Sequence, residues 1–348
     1  MPTAKDPYVG TKSVPVLRLS ELMGRFALGK SWLVGLLLSL LAGCVDTSKA
    51  TTAPAEEKPA VASASRTVVS TPGGQRGEGK PYEIVGSEVW DMPDPASGRT
   101  YQVFVALPLS YSENPERRYP VLYVTDADYA FPLIRQIGRR LNVDGPKIEE
   151  FILVGLSYAL GEEGMPSRRR DYTPTPNGPR DAPPDAVHGN GLAYAAYLRD
   201  RVLPSVAQRY RTDESRRLFL GHSYGSLLGT QILLTEPELF SGYVLGSPSL
   251  WYDHHFMERQ EGRYAETHKD LPASVYMYVG EYEDMKPGDP RYAKKRNMVS
   301  DARRMERSLR SRDYPSLRLK LDVLNDEDHL SVAPRGFTLG LKYLLEAT

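Results

Sequence analysis

Cysteine is almost absent from this chain. Cys44 stands alone among 348 residues, which excludes intramolecular disulfides, paired-cysteine zinc sites and dithiol redox chemistry. An excess of charge of either sign is missing too, since 44 Lys and Arg face 44 Asp and Glu. A nucleic-acid reader normally carries a basic patch or stripe, so no nucleic-acid partner is expected. The pronounced apolar run from Trp32 to Leu41 falls short of the ~18 residues that a membrane span needs. What is left is ordinary globular composition, 41% hydrophobic and 25% charged, which fits a packed domain.

Arg25 and Lys30 precede the apolar run, which ends Leu41-Ala42-Gly43-Cys44. A positive n-region, a short apolar h-region and small residues at the cut site make a secretory signal. The tetrad Leu-Ala-Gly-Cys resembles a bacterial lipobox, in which the cysteine is lipidated and becomes the first mature residue. Residues 1–44 are therefore expected to be a signal peptide with lipobox, Met23 being the more usual start. Cys44 is the expected lipidation site and the membrane contact. Val45, not Asp, follows it, which implies an exported lipoprotein facing the periplasm from the outer membrane. Residues 45–80 are Ala, Thr, Ser, Pro, Gly, Glu and Lys with hardly an aromatic. They bury too little apolar surface to offset ordering entropy, so a flexible linker is expected there.

From residue 81 to 348 the texture becomes that of a domain. Tyr82 to Trp90 and Thr100 to Leu107 alternate apolar and polar residues around Pro93-Asp94-Pro95 and Ser97-Gly98, the pattern of an antiparallel hairpin. Tyr119 to Thr125 and Phe151 to Leu156 are near-continuous apolar runs of the buried parallel kind. A helical segment, Phe131 to Leu141, lies between them and completes a right-handed crossover. Residues 157–190 show no periodicity, and a structureless stretch of that length is usually functional. A long helix follows from Leu192 to Tyr210, with a kink expected at Pro204. Further strands are expected at Gly242 to Leu245, Ser274 to Val279 and Leu317 to Leu324, with helices at Ala293 to Leu309 and from Phe337. Buried strands alternating with helices predict a three-layer α/β sandwich with a mostly parallel sheet and an antiparallel N-terminal hairpin.

The chemistry centres on Arg217-Leu218-Phe219-Leu220-Gly221-His222-Ser223-Tyr224-Gly225. An apolar run reaches Gly221 and a small-residue helical segment begins at Ser226. The pattern G-x-S-x-G thus falls at a strand-to-helix corner, which lifts a serine hydroxyl clear of the sheet. Ser223 is the candidate nucleophile, and the Tyr224 N–H, at a helix N-terminus, is a candidate oxyanion donor. Of six histidines, His329 has the best address, just past the last expected strand in Asn325-Asp326-Glu327-Asp328-His329. Reactive groups in an open α/β sheet gather beyond the carboxyl ends of strands, and the order serine, acid, histidine suits such a fold. The acid is expected in Gly280-Glu281-Tyr282-Glu283-Asp284. Glu283 is the first choice, followed by Asp284 and Glu281. A second oxyanion donor is expected from Thr125-Asp126-Ala127-Asp128-Tyr129, at the Asp128 N–H. His222, Trp251 and Arg170 are the expected pocket residues, although His222 points away from the serine across the turn and so is expected to pack or orient. Arg168 and Arg169 join Arg170 in a cap that would attract an anion; the plainer alternative pairs Arg170 with Asp171. His254 and His255 suit the pocket rim. As metal ligands they lack a third partner at useful spacing, so no metal is expected.

Six pieces together resemble a known group: Pro120-Val121-Leu122-Tyr123-Val124-Thr125-Asp126, Arg170-Asp171-Tyr172-Thr173-Pro174, Gly221-His222-Ser223-Tyr224-Gly225, Ser247-Pro248-Ser249-Leu250-Trp251, Gly280-Glu281-Tyr282-Glu283 and Asp328-His329-Leu330-Ser331-Val332. Residues from about 82 to 346 resemble the esterase family of α/β hydrolases that includes esterase D, bacterial mycolyltransferases and enterochelin-type siderophore esterases. The second and fourth pieces narrow the resemblance toward the siderophore-esterase branch. It implies a serine ester hydrolase with Ser223 and His329 as nucleophile and base, a small-molecule ester as partner and no cofactor. Two other readings stand beside it: an acyltransferase of the same fold, and a lipoprotein that keeps the fold only to bind. The sequence says nothing of oligomeric state.

Overall fold

Strand β3 (Tyr119–Val124) is buried at every position, and its side chains split between two cores as the two-residue period requires. Val121 and Tyr123 enter one apolar cluster; Leu122 and Val124 enter the other. The same division runs through the strand Thr212–His222, where Phe219 faces the first cluster and Leu218 and Leu220 the second. A sheet apolar on both faces must be covered on both. The computed structural model, which describes Gly79 and residues 82–347, is a three-layer α/β-hydrolase sandwich. Cys44 and the expected signal and linker lie outside the described residues.

The sheet has eight strands in the order β1-β2-β4-β3-β5-β6-β7-β8. Strands β1 (Ser87–Asp94) and β2 (Arg99–Ala106) form the antiparallel hairpin, and β2 also runs antiparallel to β4 (Ile152–Ala159). From β4 onward, through β3, β5 (Thr212–His222), β6 (Gly242–Gly246), β7 (Ser274–Gly280) and β8 (Arg318–Leu324), all neighbours are parallel. Pro93 sits inside β1, where a break was expected. An edge strand tolerates the missing N–H.

Helix α1 (Ala127–Leu141) crosses from β3 to β4 and packs with the last helix, α8 (Ala333–Leu344), against one face. The other face carries α5 (Tyr224–Thr235) and α6 (Tyr252–Thr267), with α7 (Met298–Arg310) against β7 and β8. The order reverses at β3: the chain moves outward to β4 on one side and through β5 and β6 on the other. Loops leaving β3 and β5 therefore part at their carboxyl ends and open a crevice.

Helix α6 has no counterpart among the expected elements, and α7 begins at Met298 where Ala293 was expected; two further segments differ as well. The stretch 157–190 contains a helix, α2 (Gly164–Asp171). Its buried residues are Ser167, Arg170 and Asp171, so it is held by ionic contacts and leaves no apolar period to read. The long helix expected from Leu192 to Tyr210 is three segments: α3 (Gly191–Tyr197), a π-turn over Leu198–Val202, and α4 (Leu203–Arg209). Pro204 lacks an N–H, and its ring would strike the carbonyl four residues back. The π-turn relieves this by sending the Leu203 N–H to Leu198 O, five residues back.

Candidate active site

Strand β5 stops at His222 and α5 begins at Tyr224, leaving Ser223 as the corner. Its φ of 58° and ψ of −116° are strained for a residue with a side chain and cost of order 1–3 kcal/mol. The surroundings offset this. Ser226 Oγ donates between the carbonyls of Gly221 and Gly246, 2.7 Å from each, and the Ser223 N–H reaches Gly246 O at 2.9 Å. Each such bond contributes about 0.5–1.5 kcal/mol net. Space is equally tight: a Cβ on Gly221 would lie 2.3 Å from the Gly225 carbonyl carbon, and one on Gly225 2.2 Å from Thr125 Oγ1. The two glycines of the motif are steric necessities.

Ser223 Oγ lies 3.0 Å from Nε2 of His329, and Nδ1 of His329 lies 2.6 Å from Glu283 Oε2. His329 sits in the loop from β8 to α8, and Glu283 ends the short 3₁₀ turn after β7. Glu283 is 3% exposed. Its other oxygen, Oε1, accepts from Ser247 Oγ at 2.6 Å and from the Gly280 N–H at 2.7 Å. With Oε1 saturated, Oε2 is left for the imidazole. The neighbouring carboxylates are engaged elsewhere: Asp284 accepts from the Ser300 N–H and hydroxyl, and Glu281 from Tyr292 and the Asp326 N–H. Of the three acids left open by the sequence, Glu283 is the one brought to His329.

The Tyr224 N–H belongs to the first turn of α5, so it has no intrahelical acceptor. The Asp128 N–H likewise belongs to a first turn, that of α1, where it has no intrahelical acceptor. The Asp128 side chain is exposed and its carboxylate accepts from Ser157 Oγ at 2.9 Å, while Asp126 and Tyr129 border the crevice. The left-handed residue of the turn is Asp126 (φ 54°), and α1 begins directly at Ala127. The Asp126 carboxylate is neutralised by Arg168, whose Nε and Nη2 lie 3.0 and 3.1 Å from its two oxygens, and by the Tyr158 hydroxyl at 2.8 Å.

Arg170 does not border the crevice; it makes the plainer pairing with Asp171, its Nε and Nη2 each 2.8 Å from that carboxylate and Nη1 2.5 Å from Glu162. On α2 successive side chains turn by about 100°, so three adjacent arginines point three ways. Arg168 grips Asp126, Arg169 lines the crevice, and Arg170 is buried. The cavity over Ser223, of about 840 Å³, is bordered by Arg168, Arg169, His222, Trp251, Arg296 and His329 among others. A second cleft of about 500 Å³ reaches Ser223 from the side of Tyr282, Arg291 and Lys294. A larger cavity of about 950 Å³, near Phe151 and Arg216, contains none of these residues.

Several neighbours were not singled out from the sequence. Ser249 Oγ is 3.5 Å from Ser223 Oγ, and Ser247 supports the acid. Both follow β6, the strand beside the elbow strand, and that address was the available signal. Arg296 stacks over Trp251, its guanidinium carbon 4.2 Å from the ring centroid. Asp181 and Lys295 join across the mouth at 2.8 Å. His254 and His255 line a separate cavity. His255, Glu258 and Asp301 converge there, but Arg304 already bonds both carboxylates, at 3.1 Å and 2.6 Å.

A serine, an imidazole and a buried carboxylate in series at the switch point of an α/β sheet define the serine-hydrolase class. The model of the family described as "Putative esterase" matches residues 95–315, and the chain belongs to that family of ester hydrolases. It is 28% identical over 280 residues to the ferri-bacillibactin esterase BesA of Bacillus subtilis, covering 77% of this chain and 93% of that protein. It is 26% identical over 280 residues to the siderophore enterobactin esterase of Emericella nidulans, covering 73% and 92%. Among solved structures, the BES protein from Bacillus cereus matches with a TM-score of 0.65 at 23% identity, over 78% of this chain and all of that one.

Proposed function

We propose that this chain hydrolyses siderophore-type lactones and related small acyl esters through an acyl-enzyme on Ser223. One observation carries the mechanism: the unbroken line from Ser223 Oγ through His329 to Glu283, at 3.0 and 2.6 Å, opening on a cavity. Ser223 attacks the ester carbonyl while His329 Nε2 takes its proton. Glu283 holds Nδ1–H and so fixes the tautomer that leaves Nε2 free. The Tyr224 N–H receives the developing oxyanion; removing one such donor elsewhere costs about 3–4 kcal/mol of barrier. The protonated imidazole returns its proton to the leaving alkoxide, and water, activated by the same histidine, releases the acyl group.

The siderophore reading is supported by the names of the curated relatives and by the walls of the cavity. Arg169 and Arg296 border it, and among the described residues no carboxylate is hydrogen-bonded to either. Guanidinium groups left partly desolvated and unpaired suit a planar anionic substrate such as a catecholate. The test is hydrolysis of a panel running from p-nitrophenyl acetate through longer acyl esters to a catecholate trilactone. The expected result is a trilactone kcat/KM above that of every neutral ester, falling as salt is added. A preference for long neutral acyl chains would overturn the siderophore assignment while leaving ester hydrolysis intact.

Export and anchoring at Cys44 form part of the same proposal. The expected result is that Cys44→Ser moves the full chain from the membrane to the soluble fraction. Unchanged membrane association of that variant would count against lipidation.

A further inference from the structure

The chemistry above uses the side chain of His329 and leaves a second histidine beside it without a task. His222 ends β5, one residue before the nucleophile. Its Nε2 lies 3.0 Å from the backbone carbonyl oxygen of His329. A carbonyl only accepts, so Nε2 carries the proton, and a neutral imidazole protonated there has a bare Nδ1. That nitrogen lies 3.2 Å from the Tyr278 hydroxyl, which is therefore the donor. A directed chain results: Tyr278 Oη–H to Nδ1, then Nε2–H to the main chain of His329.

Each link is held by packing. Tyr278 is fully buried in β7. A Cβ on Gly246 would lie 2.0 Å from its hydroxyl oxygen, and one on Gly336 2.4 Å from its ring, so the ring occupies a slot that two glycines leave open. His222 stacks on Tyr278 at 18° between planes, and its centroid is 4.8 Å from that of His329. Although part of His222 borders the crevice, burial of the ring, followed by the nearby His329, pushes its pKa down to about 3. The ring is then neutral wherever the enzyme works, so Nδ1 stays an acceptor. The charged or titratable groups facing it are His329, Tyr278 and Arg168, whose Nη2 lies 3.4 Å from the His222 carbonyl.

The support matters because of where His329 sits. The loop at 325–332 is largely exposed. Its nearby backbone ties join Glu327 O to the Tyr282 N–H at 3.0 Å and Asp328 O to the Val332 N–H at 3.1 Å. Neither acts on the residue that bears the imidazole. The bond from His222 does, and it originates one residue from Ser223.

We propose that His222 is a positioning residue: its Nε2–H, oriented by Tyr278, anchors the main chain of His329 and so sets the imidazole between Glu283 and Ser223. The proposal rests on the reading of Ser223 and His329 as nucleophile and base. It makes the histidine of Gly221-His222-Ser223-Tyr224-Gly225 the part of the elbow that registers the base against the nucleophile.

The experiment compares His222→Leu, His222→Gln and Tyr278→Phe with wild type on p-nitrophenyl butyrate and in the rate of labelling by a fluorophosphonate. A side chain of similar bulk without the donor, as in His222→Leu, is expected to lower kcat about tenfold to a hundredfold with KM within about twofold, the penalty for misplacing a reacting group. His222→Gln keeps an N–H near the place of Nε2 and is expected to recover most of that loss, in turnover and in labelling rate alike. Tyr278→Phe is expected to lower kcat about threefold to tenfold and to replace the single His222 tautomer in ¹⁵N spectra by a mixture. Should His222→Leu fail to fold, the comparison of His222→Gln and Tyr278→Phe with wild type decides. Leu and Gln variants equal to one another, or a Tyr278→Phe protein with wild-type kcat and an unchanged tautomer, would overturn the proposal. A wild type inert to both ester and fluorophosphonate would instead remove the catalytic reading on which it rests.

Discussion

Ser223→Ala is expected to lower kcat for any ester the wild type hydrolyses by about a millionfold, the loss seen when a nucleophile of this kind is removed from its constellation. The size follows from the geometry. With the hydroxyl gone, His329 has nothing to deprotonate within 3.0 Å, and the Tyr224 N–H serves only the slow attack of free water. A residual acceleration of about 10³–10⁴ over water is expected from the oxyanion donor and binding alone. KM should change little, because the alanine still lies at the same elbow and leaves the walls of the crevice in place. Stability should hardly change, since alanine keeps the Cβ that strains a residue held at φ 58° and loses only the hydroxyl. The measurement is single-turnover hydrolysis with a thermal melt on the same preparation. Turnover equal to wild type would sink the proposed mechanism outright.

Glu283→Gln is the second large effect, an expected loss in kcat of about 10⁴-fold, comparable to replacing the triad acid by its amide in a serine protease. Two causes add here. The imidazolium formed during attack loses its counter-charge at 2.6 Å, and the tautomer with a free Nε2 is no longer enforced. The amide also creates a conflict. Oε1 accepts from both Ser247 and the Gly280 N–H, so the oxygen of Gln is wanted there and its NH₂ must face Nδ1. That arrangement favours the wrong tautomer, with Nε2 protonated toward the serine. The alternative flip leaves a buried N–H pointing at donors, a cost of about 1–3 kcal/mol in stability. Asp284→Asn is the companion. Its carboxylate serves Ser300, and activity within a few-fold of wild type is expected. If Asp284→Asn were the more damaging change, the acid would have to be reassigned.

How much of this was readable beforehand depends on the kind of signal. Continuous apolar runs in β3, β4 and β5 reflect burial on both sheet faces, a one-dimensional property, and they place those strands to within a few residues. The elbow is equally local, because a serine between small residues at a strand-to-helix junction writes its geometry into five adjacent positions. Helix α2 shows no such signal for the opposite reason: Arg168 and Arg170 hold it through distant Asp126 and nearby Glu162 and Asp171, and ion pairs leave no apolar period. The π-turn at Leu198–Val202 is legible only as a kink, since Pro204 announces a missing bond without saying how the backbone reroutes it.

The choices that stayed open were questions of direction. Arg170 and Arg168 are chemically identical, and only the turn of α2 against β4 decides that one faces Asp126 while the other is enclosed with Asp171. Asp128 and Asp126 differ in whether α1 starts before or after them, which the left-handed turn at Asp126 settles. Glu283 was preferred over its neighbours on position alone; Ser247 and the Gly280 amide orient its carboxylate toward His329. Residue types and their order along the chain therefore carried the fold and the identity of the serine and the histidine, because burial and turn chemistry are properties of neighbouring positions. The acid's orientation, the cationic wall and the tie from His222 to His329 belong to the folded molecule, because each joins groups that meet only once distant strands lie side by side.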